Sequence, residues 1–223
     1  MIDKKEFWEK KIIKWENGRY GIQSQRSNVV ENISDNLSSS LIYRQNFALD
    51  LLEKIHDKNI TILELGCGSG LIVKKIFDLG FQKYIGTDIS ENAISRANEI
   101  NKNFVNKAKF YAADTNFLIK ENIKVVFSLG LFDWLEDKDI FNIFRAYPNS
   151  IHLHSISEKK DSIYQILHKI YVHISYGYKS KGYKPKYHTL DDIKKLYTSN
   201  ITNKLSIYNH KKLKFGAFIK NYE

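Results

Sequence analysis

Gly66, Gly68 and Gly70 fall within the stretch ILELGCGSGL, three glycines in five residues. Glycine loses more conformational freedom on folding than any other residue, so this cluster marks backbone that must turn tightly or approach a ligand closely. A carboxylate, Glu64, stands two residues before the first glycine, Asp88 follows in KYIGTD, and Asp114 in YAADTNF. The spacing G-x-G-x-G differs from the G-x-G-x-x-G of pyrophosphate-binding turns. An acidic residue beside the turn suits a cationic or hydroxyl-bearing ligand better than a phosphate. Asp88 can accept both hydroxyls of a ribose, and Asp114 can reach an adenine exocyclic amine or merely cap the segment that follows. Together these residues outline a cleft for an adenosine with a charged, amino-acid-like tail.

Such a cleft needs elements that bring the segments to one edge. ITILEL (60–65) is a compact apolar run of the fully buried, parallel-strand kind. LIVKKIFDLG reads as a helix closed by Gly80. KYIGTD (83–88) is a second strand, and Ser90 caps a helix with Ala93, Ile94, Ala97 and Ile100 on one face. AKFYAAD, IKVVFSLG and SIHLHSIS supply the third to fifth strands, with a helix around Asp139–Arg145 before the fifth. Upstream, FWEKKIIKWENGRYG reads as a short helix ending in a turn at Gly18–Gly21; next, Leu41, Ala48, Leu51, Leu52 and Ile55 recur at helical spacing. Downstream, the two halves of NKLSIYNHKKLKFGAFIKNYE lie too close for a crossover helix and predict an antiparallel hairpin. The expected fold is α/β: a doubly wound, mostly parallel seven-stranded sheet ending in an antiparallel β-hairpin, with N-terminal helices and a helical insert between the fifth and sixth strands.

Composition narrows the setting. With 223 residues, 43% of them hydrophobic, the chain can bury a sizeable core. One cysteine excludes an internal disulfide framework and a multi-cysteine metal site. The charged start MIDKKEFWEKK does not read as a secretory signal, no apolar run is long enough to span a bilayer, and a cytoplasmic protein is expected. The net charge of +10 resides in residues 159–223, where 14 Lys face 4 acids. That excess is either a solvated Lys-rich surface or an attraction for an anionic partner.

The chain resembles the class I S-adenosylmethionine-dependent methyltransferases, small-molecule type. LELGCGSG is similar to that family's first motif, YIGTDIS to its acidic second, and YAADTNF and VVFSLGLFDWLED to later ones, covering Thr61 to Asp137. The resemblance implies S-adenosyl-L-methionine as cofactor. Gly66, Gly68 and Gly70 would contact its methionine moiety, Asp88 the ribose, Asp114 the adenine, and Leu129 and Gly130 would lie near the sulfonium, with Glu64, Cys67, Ile89 and Thr115 completing the cofactor-binding set. It also implies an aromatic lid residue before the first strand, for which Tyr20 is the candidate, with Arg19 for the cofactor carboxylate. Tyr43 and Arg44 offer the same chemistry. A single domain is expected over 1–223: a helical lid region 1–56, a cofactor-binding core 60–157, an acceptor-side insert 158–203 and the terminal hairpin 204–223. The reading that competes on the glycine turn alone is a nucleotide-binding dehydrogenase.

Acceptor chemistry is less marked. Methyl transfer needs a base only if the acceptor must lose a proton. The candidate catalytic residues are Asp133, after the fourth strand, and His154, in the fifth; Asp133 could instead cap a helix, and His152 and His154 could pack in the core. The insert sets Ile163, Ile166, Leu167, Ile170 and Ile174 on one helical face, and Tyr164, His168 and Tyr171 on another. The second stripe is the candidate substrate-binding surface, the alternative being burial against the sheet or a partner subunit. No ligand pattern calls for a metal. The sole cysteine is in the turn and no Asn/Asp-Pro-Pro-aromatic run follows the fourth strand. These absences argue against cytosine-C5 and adenine-amino methylation of nucleic acid. The expected reaction is methyl transfer to an O or N of a polar small molecule, such as a sugar, and an anionic acceptor would suit the Lys-rich region. An RNA methyltransferase docking through that region is the alternative, followed by a non-catalytic cofactor-binding protein.

Overall fold

A computed structural model describes residues 3–20, 42–176, 183–197 and 205–223. Two helices, α1 (Lys4–Tyr20) and α2 (residues 42–53), precede the sheet. There follow β1 (Thr61–Leu65), α3 (Val73–Asp78), β2 (Lys83–Asp88), α4 (Glu91–Ile100), β3 (Ala108–Ala112), β4 (Ile123–Leu129), α5 (Asp137–Ala146) and β5 (Ile151–Ser157). The insert holds α6 (Ile163–Tyr176) and α7 (Leu190–Leu196), and the chain ends with β6 (Ser206–Asn209) and β7 (Gly216–Lys220). The sheet order is β3-β2-β1-β4-β5-β7-β6, with β7 antiparallel to both neighbours. The chain steps outward from β1 to β3 and then returns to the other side of β1, so the switch in strand order lies between β1 and β4, where open α/β sheets hold ligands.

Each central strand is buried on both faces because alternate residues enter two different cores. Leu63, Leu65, Val126, Ile156 and Ile219 pack with Ile140, Ile143 and Phe144 of α5 and Ile193 of α7. Ile62, Val125, Phe127, Leu153 and Phe218 pack with Ala48, Leu51 and Leu52 of α2 and Val73 and Ile76 of α3. Both strand faces are therefore apolar, as the sequence runs indicated. Ser90 caps α4 by accepting the Ala93 N–H at 3.1 Å; Ala93, Ile94 and Ala97 are buried, but Ile100 is exposed. The cap of α5 is Glu136, in a reciprocal box with Asp139, so Asp133 does not serve there.

One expectation needs correction. The helix expected to stop at Gly18 runs on to Tyr20, while Gly21 and Leu41 lie outside the described residues. The apolar stripe of α6 faces solvent, with Ile163 75% exposed, Ile166 57% and Ile170 51%, while Gln165 is buried. Gln165 donates to the Glu158 carbonyl at 2.7 Å and accepts from the Lys160 N–H at 3.2 Å. Among the described residues, no helix is long and apolar enough to cross a membrane.

Candidate active site

The glycine turn leaves β1 with Gly66, Gly68 and Gly70 at φ of 69°, 54° and 63°, a left-handed region that residues with a Cβ rarely enter. The Gly66 and Cys67 N–H groups both donate to the Thr87 carbonyl, at 2.8 and 2.9 Å, binding the turn to β2. Asp88 closes it: one carboxylate oxygen accepts the Gly68 N–H and the other the Ser90 N–H, each at 2.9 Å. A Cβ at Gly86 would lie 2.8 Å from Cys67 Sγ, so that glycine, unremarked in the sequence, gives the thiol its seat.

Glu16 of α1 also reaches this turn, and sequence reasoning missed it. Its carboxylate accepts the Ser69 N–H at 2.7 Å and the Ser69 hydroxyl, with Arg96 3.8 Å away. Ser69 is thus an anchor for α1, and a Cβ at Gly68 would collide with Glu16 Oε1. The only sequence signal was a Glu inside WENG, a stretch that otherwise reads as a helix end. Three buried carboxyl groups, Glu16, Glu64 and Asp88, therefore surround the turn. Burial pushes Glu64 up to about 8, with the charges of Asp88 and Glu16 adding to it and a hydrogen bond from the Tyr84 hydroxyl opposing it. Burial also lifts Asp88 to about 6, against the two N–H donors. The Cys67 thiol is pushed well above its ordinary value by burial and then by Asp88. Carboxyl groups such as Glu64 and Asp88, pushed up by burial and by neighbouring negative charge, fit a ligand bearing positive charge, as S-adenosylmethionine does.

Asp114 lies two residues beyond β3, in a segment drawn beside Asp88 by the Ala113 N–H donating to the Asp88 carbonyl at 2.8 Å. Its carboxylate is exposed and accepts the Asn116 N–H at 2.8 Å, so it also caps its own loop. Ile89 and Thr115 are half-buried on the same rim. Beyond β4, Leu131 covers Gly66: a Cβ there would sit 3.2 Å from Leu131 Cδ1. Leu129 and Gly130 are half-buried at the end of β4, with Gly130 at φ 82°. The glycine turn, Asp88, the Asp114 rim and Gly130 thus share one edge of the sheet.

The two residues expected to supply a base are committed elsewhere. Both oxygens of buried Asp133 accept from Ser157, one from its N–H and one from its hydroxyl, each at 2.7 Å. Burial raises the Asp133 pKa, and the Arg44 charge is the largest influence in the opposite direction. His154 is fully buried, stacked on Phe132 at 4.1 Å. Its Nδ1 is 2.9 Å from Ser128 Oγ and its Nε2 3.1 Å from His152 Nδ1; His152 Nε2 lies 2.9 Å from the Tyr147 carbonyl. A carbonyl only accepts, so His152 carries its proton on Nε2 and accepts from His154, which accepts from Ser128. Burial holds His152 down to about 4 and His154 well below its ordinary value. Both rings are neutral parts of the core, with no nitrogen left to take a proton.

The insert residues do not converge. Tyr164 is exposed, beneath the Lys214 ammonium at 4.7 Å, whereas His168 Nδ1 bonds the Tyr187 hydroxyl at 2.8 Å. The side chains of Tyr20 and Tyr171 lie outside the described residues. What the sequence did not announce is an aromatic clasp of Phe7, Trp8, Trp134 and Tyr183. Trp8 Nε1 donates to the Tyr183 hydroxyl at 3.2 Å, which donates to the Trp134 carbonyl at 3.3 Å. With Glu16 on Ser69 and Phe7 against Trp134, α1 spans the edge from the glycine turn to the segment after β4. Among the described residues no group of three or more His, Cys, Asp or Glu could hold a metal ion.

The methyltransferase domain family matches residues 56–169. Curated proteins give no sequence match. The solved magnesium protoporphyrin IX methyltransferase of Synechocystis PCC 6803 with bound SAH is similar at 14% identity and TM-score 0.71, over 97% of this chain and 96% of that one. An S-adenosylmethionine dependent methyltransferase from Mesorhizobium loti is similar at 13% identity and TM-score 0.56, over 79% and 96%. So is a methyltransferase solved with the Haloferax volcanii Trm112 activator, at 12% identity and TM-score 0.58, over 94% and 79%. Identities this low speak for the fold, while the family match covers half of the chain. The chain belongs to the methyltransferase domain family and is an S-adenosylmethionine-dependent enzyme with the class I sheet.

Proposed function

We propose that this enzyme methylates an oxygen or nitrogen of a polar small molecule, acting in the cytoplasm. The observation that carries the donor side is the convergence of Glu16, Glu64 and Asp88 on a left-handed glycine turn. In this reading the turn lies along the methionine moiety, Asp88 and Ile89 meet the ribose, Asp114 and Thr115 the adenine, and Leu129 and Gly130 flank the sulfonium. Residues 1–56 act as the lid, 60–157 as the cofactor core, 158–203 as the acceptor side and 204–223 as the closing hairpin. When bound, S-adenosylmethionine supplies a methyl group already activated on sulfur. The chain's own part is to orient the acceptor in line and exclude water, for which α1 and its aromatic clasp are placed. Asp133 is assigned to fixing the turn after β4 through Ser157, and His154 to the core.

Calorimetric titration with S-adenosylmethionine and S-adenosylhomocysteine tests the donor side. Wild type is expected to bind both, and Asp88→Ala to lose at least about tenfold in affinity, since it strips two buried N–H groups of their acceptor and the ribose of its partner. Equal binding by the variant would overturn the assignment. The second reading, RNA as acceptor, rests on the 14 Lys of residues 159–223. It requires RNA affinity that falls steeply between low and moderate salt; no RNA binding at low salt removes it.

A further inference from the structure

Arg44, on α2, occupies the other half of the sheet edge from the acidic turn. Its Nη1 lies 2.6 Å from where a Cβ on Gly130 would stand, and its Nη2 3.6 Å from the same point on Gly216. Gly130 follows β4, and Gly216 opens β7 opposite Ser157, the last residue of β5. The guanidinium therefore crosses the ends of β4, β5 and β7, threaded between two residues with no side chain to block it. Among the described residues, no hydrogen bond or ion pair engages it. Asp133 is near enough for its charge to be felt, but both of its oxygens are held by Ser157.

We infer that Arg44 holds a carboxylate of the methyl acceptor at the ends of β4, β5 and β7, which makes the acceptor a carboxylic acid and the product its methyl ester. This deepens the small-molecule reading above and rests on it. A planar guanidinium matches a carboxylate with two parallel N–H···O bonds. The chemistry agrees with the bonding of the supposed bases. Among the described residues, the two candidates for taking an alcohol's proton, Asp133 and His154, are both committed to other partners. A carboxylate needs neither: its oxygen forms the new O–CH3 bond, the S–CH3 bond breaks with its electron pair remaining on sulfur, and an anion and a sulfonium become a neutral ester and a neutral thioether. The glycine turn and Asp88 belong to β1 and β2, whereas Arg44 lies across the ends of β4 and β7, beside the Gly130 assigned to the sulfonium, where an acceptor must meet the methyl group.

The chain has five arginines, 19, 26, 44, 96 and 145, so their Nε–H signals can be assigned with single Arg→Lys variants. The test is an NMR titration of the full chain, saturated with S-adenosylhomocysteine, with acetate, using acetamide as the neutral control. The expected result is a saturable shift of the Arg44 signal with acetate and none with acetamide. In Arg44→Gln the acetate response of the Gly130 and Gly216 amides should weaken at least about tenfold, with the cofactor shifts of Gly66, Gly68 and Gly70 unchanged. An Arg44 signal that moves with S-adenosylhomocysteine and then ignores acetate would show that it reads the cofactor, and overturns the inference. So does an equal response to acetate and acetamide, or no response to either. If S-adenosylhomocysteine shifts none of the glycine-turn amides, the donor reading fails instead, and the acetate titration of the ligand-free chain still decides the role of Arg44.

Discussion

Glu64→Gln is the sharpest test of the electrostatics at the turn. Gln keeps the shape and an acceptor for the Tyr84 hydroxyl but cannot ionise. The wild-type carboxyl moves from an ordinary 4.5 to about 8 on folding, which corresponds to a cost of about 5 kcal/mol for ionising it in the folded, ligand-free protein. The folded pKa lies above the unfolded one, so the stability associated with this group is fully present below pH 4.5 and is lost as pH rises toward 8. At neutral pH roughly 3 kcal/mol of that cost has been incurred, because the unfolded chain has released the proton that the folded chain still holds. Such a sum is a large part of a typical domain's stability of about 5–15 kcal/mol.

The assay is urea unfolding of ligand-free wild type and variant at several pH values from acid to alkaline. Subtracting the two curves removes the groups they share. The variant should gain on wild type by about 3 kcal/mol at neutral pH and by about 5 kcal/mol above pH 8. Its cost should appear in binding: losing the carboxylate lowers affinity for S-adenosylmethionine more than for S-adenosylhomocysteine, which lacks the sulfonium charge. A stability difference that stays flat with pH would refute the reasoning, because Glu64 would then not be paying for its burial.

Three further outcomes are expected. Ser157→Ala removes the hydroxyl donor to a buried Asp133 oxygen and should cost about 1–3 kcal/mol in urea unfolding, with S-adenosylhomocysteine affinity unchanged. Gly70→Ala places a Cβ 2.9 Å from Asn101 Nδ2 and Phe110 Cε1 at a φ of 63°, so a loss of about 1–3 kcal/mol together with weaker cofactor binding is expected by thermal shift and calorimetry. The Cys67 thiol, buried with its pKa pushed well up, should react with iodoacetamide only as fast as the chain unfolds; rapid labelling of native protein by mass spectrometry would contradict its environment.

Strands β1, β2 and β4 were legible because each is a short run buried on both faces over most of its length, which leaves little alternation to misread. The glycine turn was legible because its backbone demands a rare residue type. Helix α1 was misread at Gly18: a mid-helix glycine costs roughly 1 kcal/mol, and Glu16 on Ser69 with the Phe7–Trp8 clasp overrides it from far along the chain. Periodicity found both stripes of α6 but not the buried Gln165, which belongs to neither; Gln165 and His168 are held by Glu158, Lys160 and Tyr187, and Tyr187 lies 19 residues beyond His168. The surroundings of Asp133 were hidden for the same reason, since Ser157, which bonds both its oxygens, lies 24 residues onward.

The two halves of the sheet edge differ in charge, and the difference has a direction. Around β1 and β2 the buried groups are carboxyls, Glu64 and Asp88, that burial above all pushes up, so a cation there relieves a cost the folded protein already carries. Across β4, β5 and β7 the half-buried group is a guanidinium beside two glycines. In the proposed reaction the donor enters positive and the acceptor negative, and each charge disappears as the methyl group passes. An edge built this way favours the two reactants in their reactive charge states and loses that attraction once both products are neutral. Tight substrate binding need not then mean slow product release. Helix α1, held at Ser69 and at Trp134, lies across both halves. Water excluded beneath it would strengthen both attractions at once.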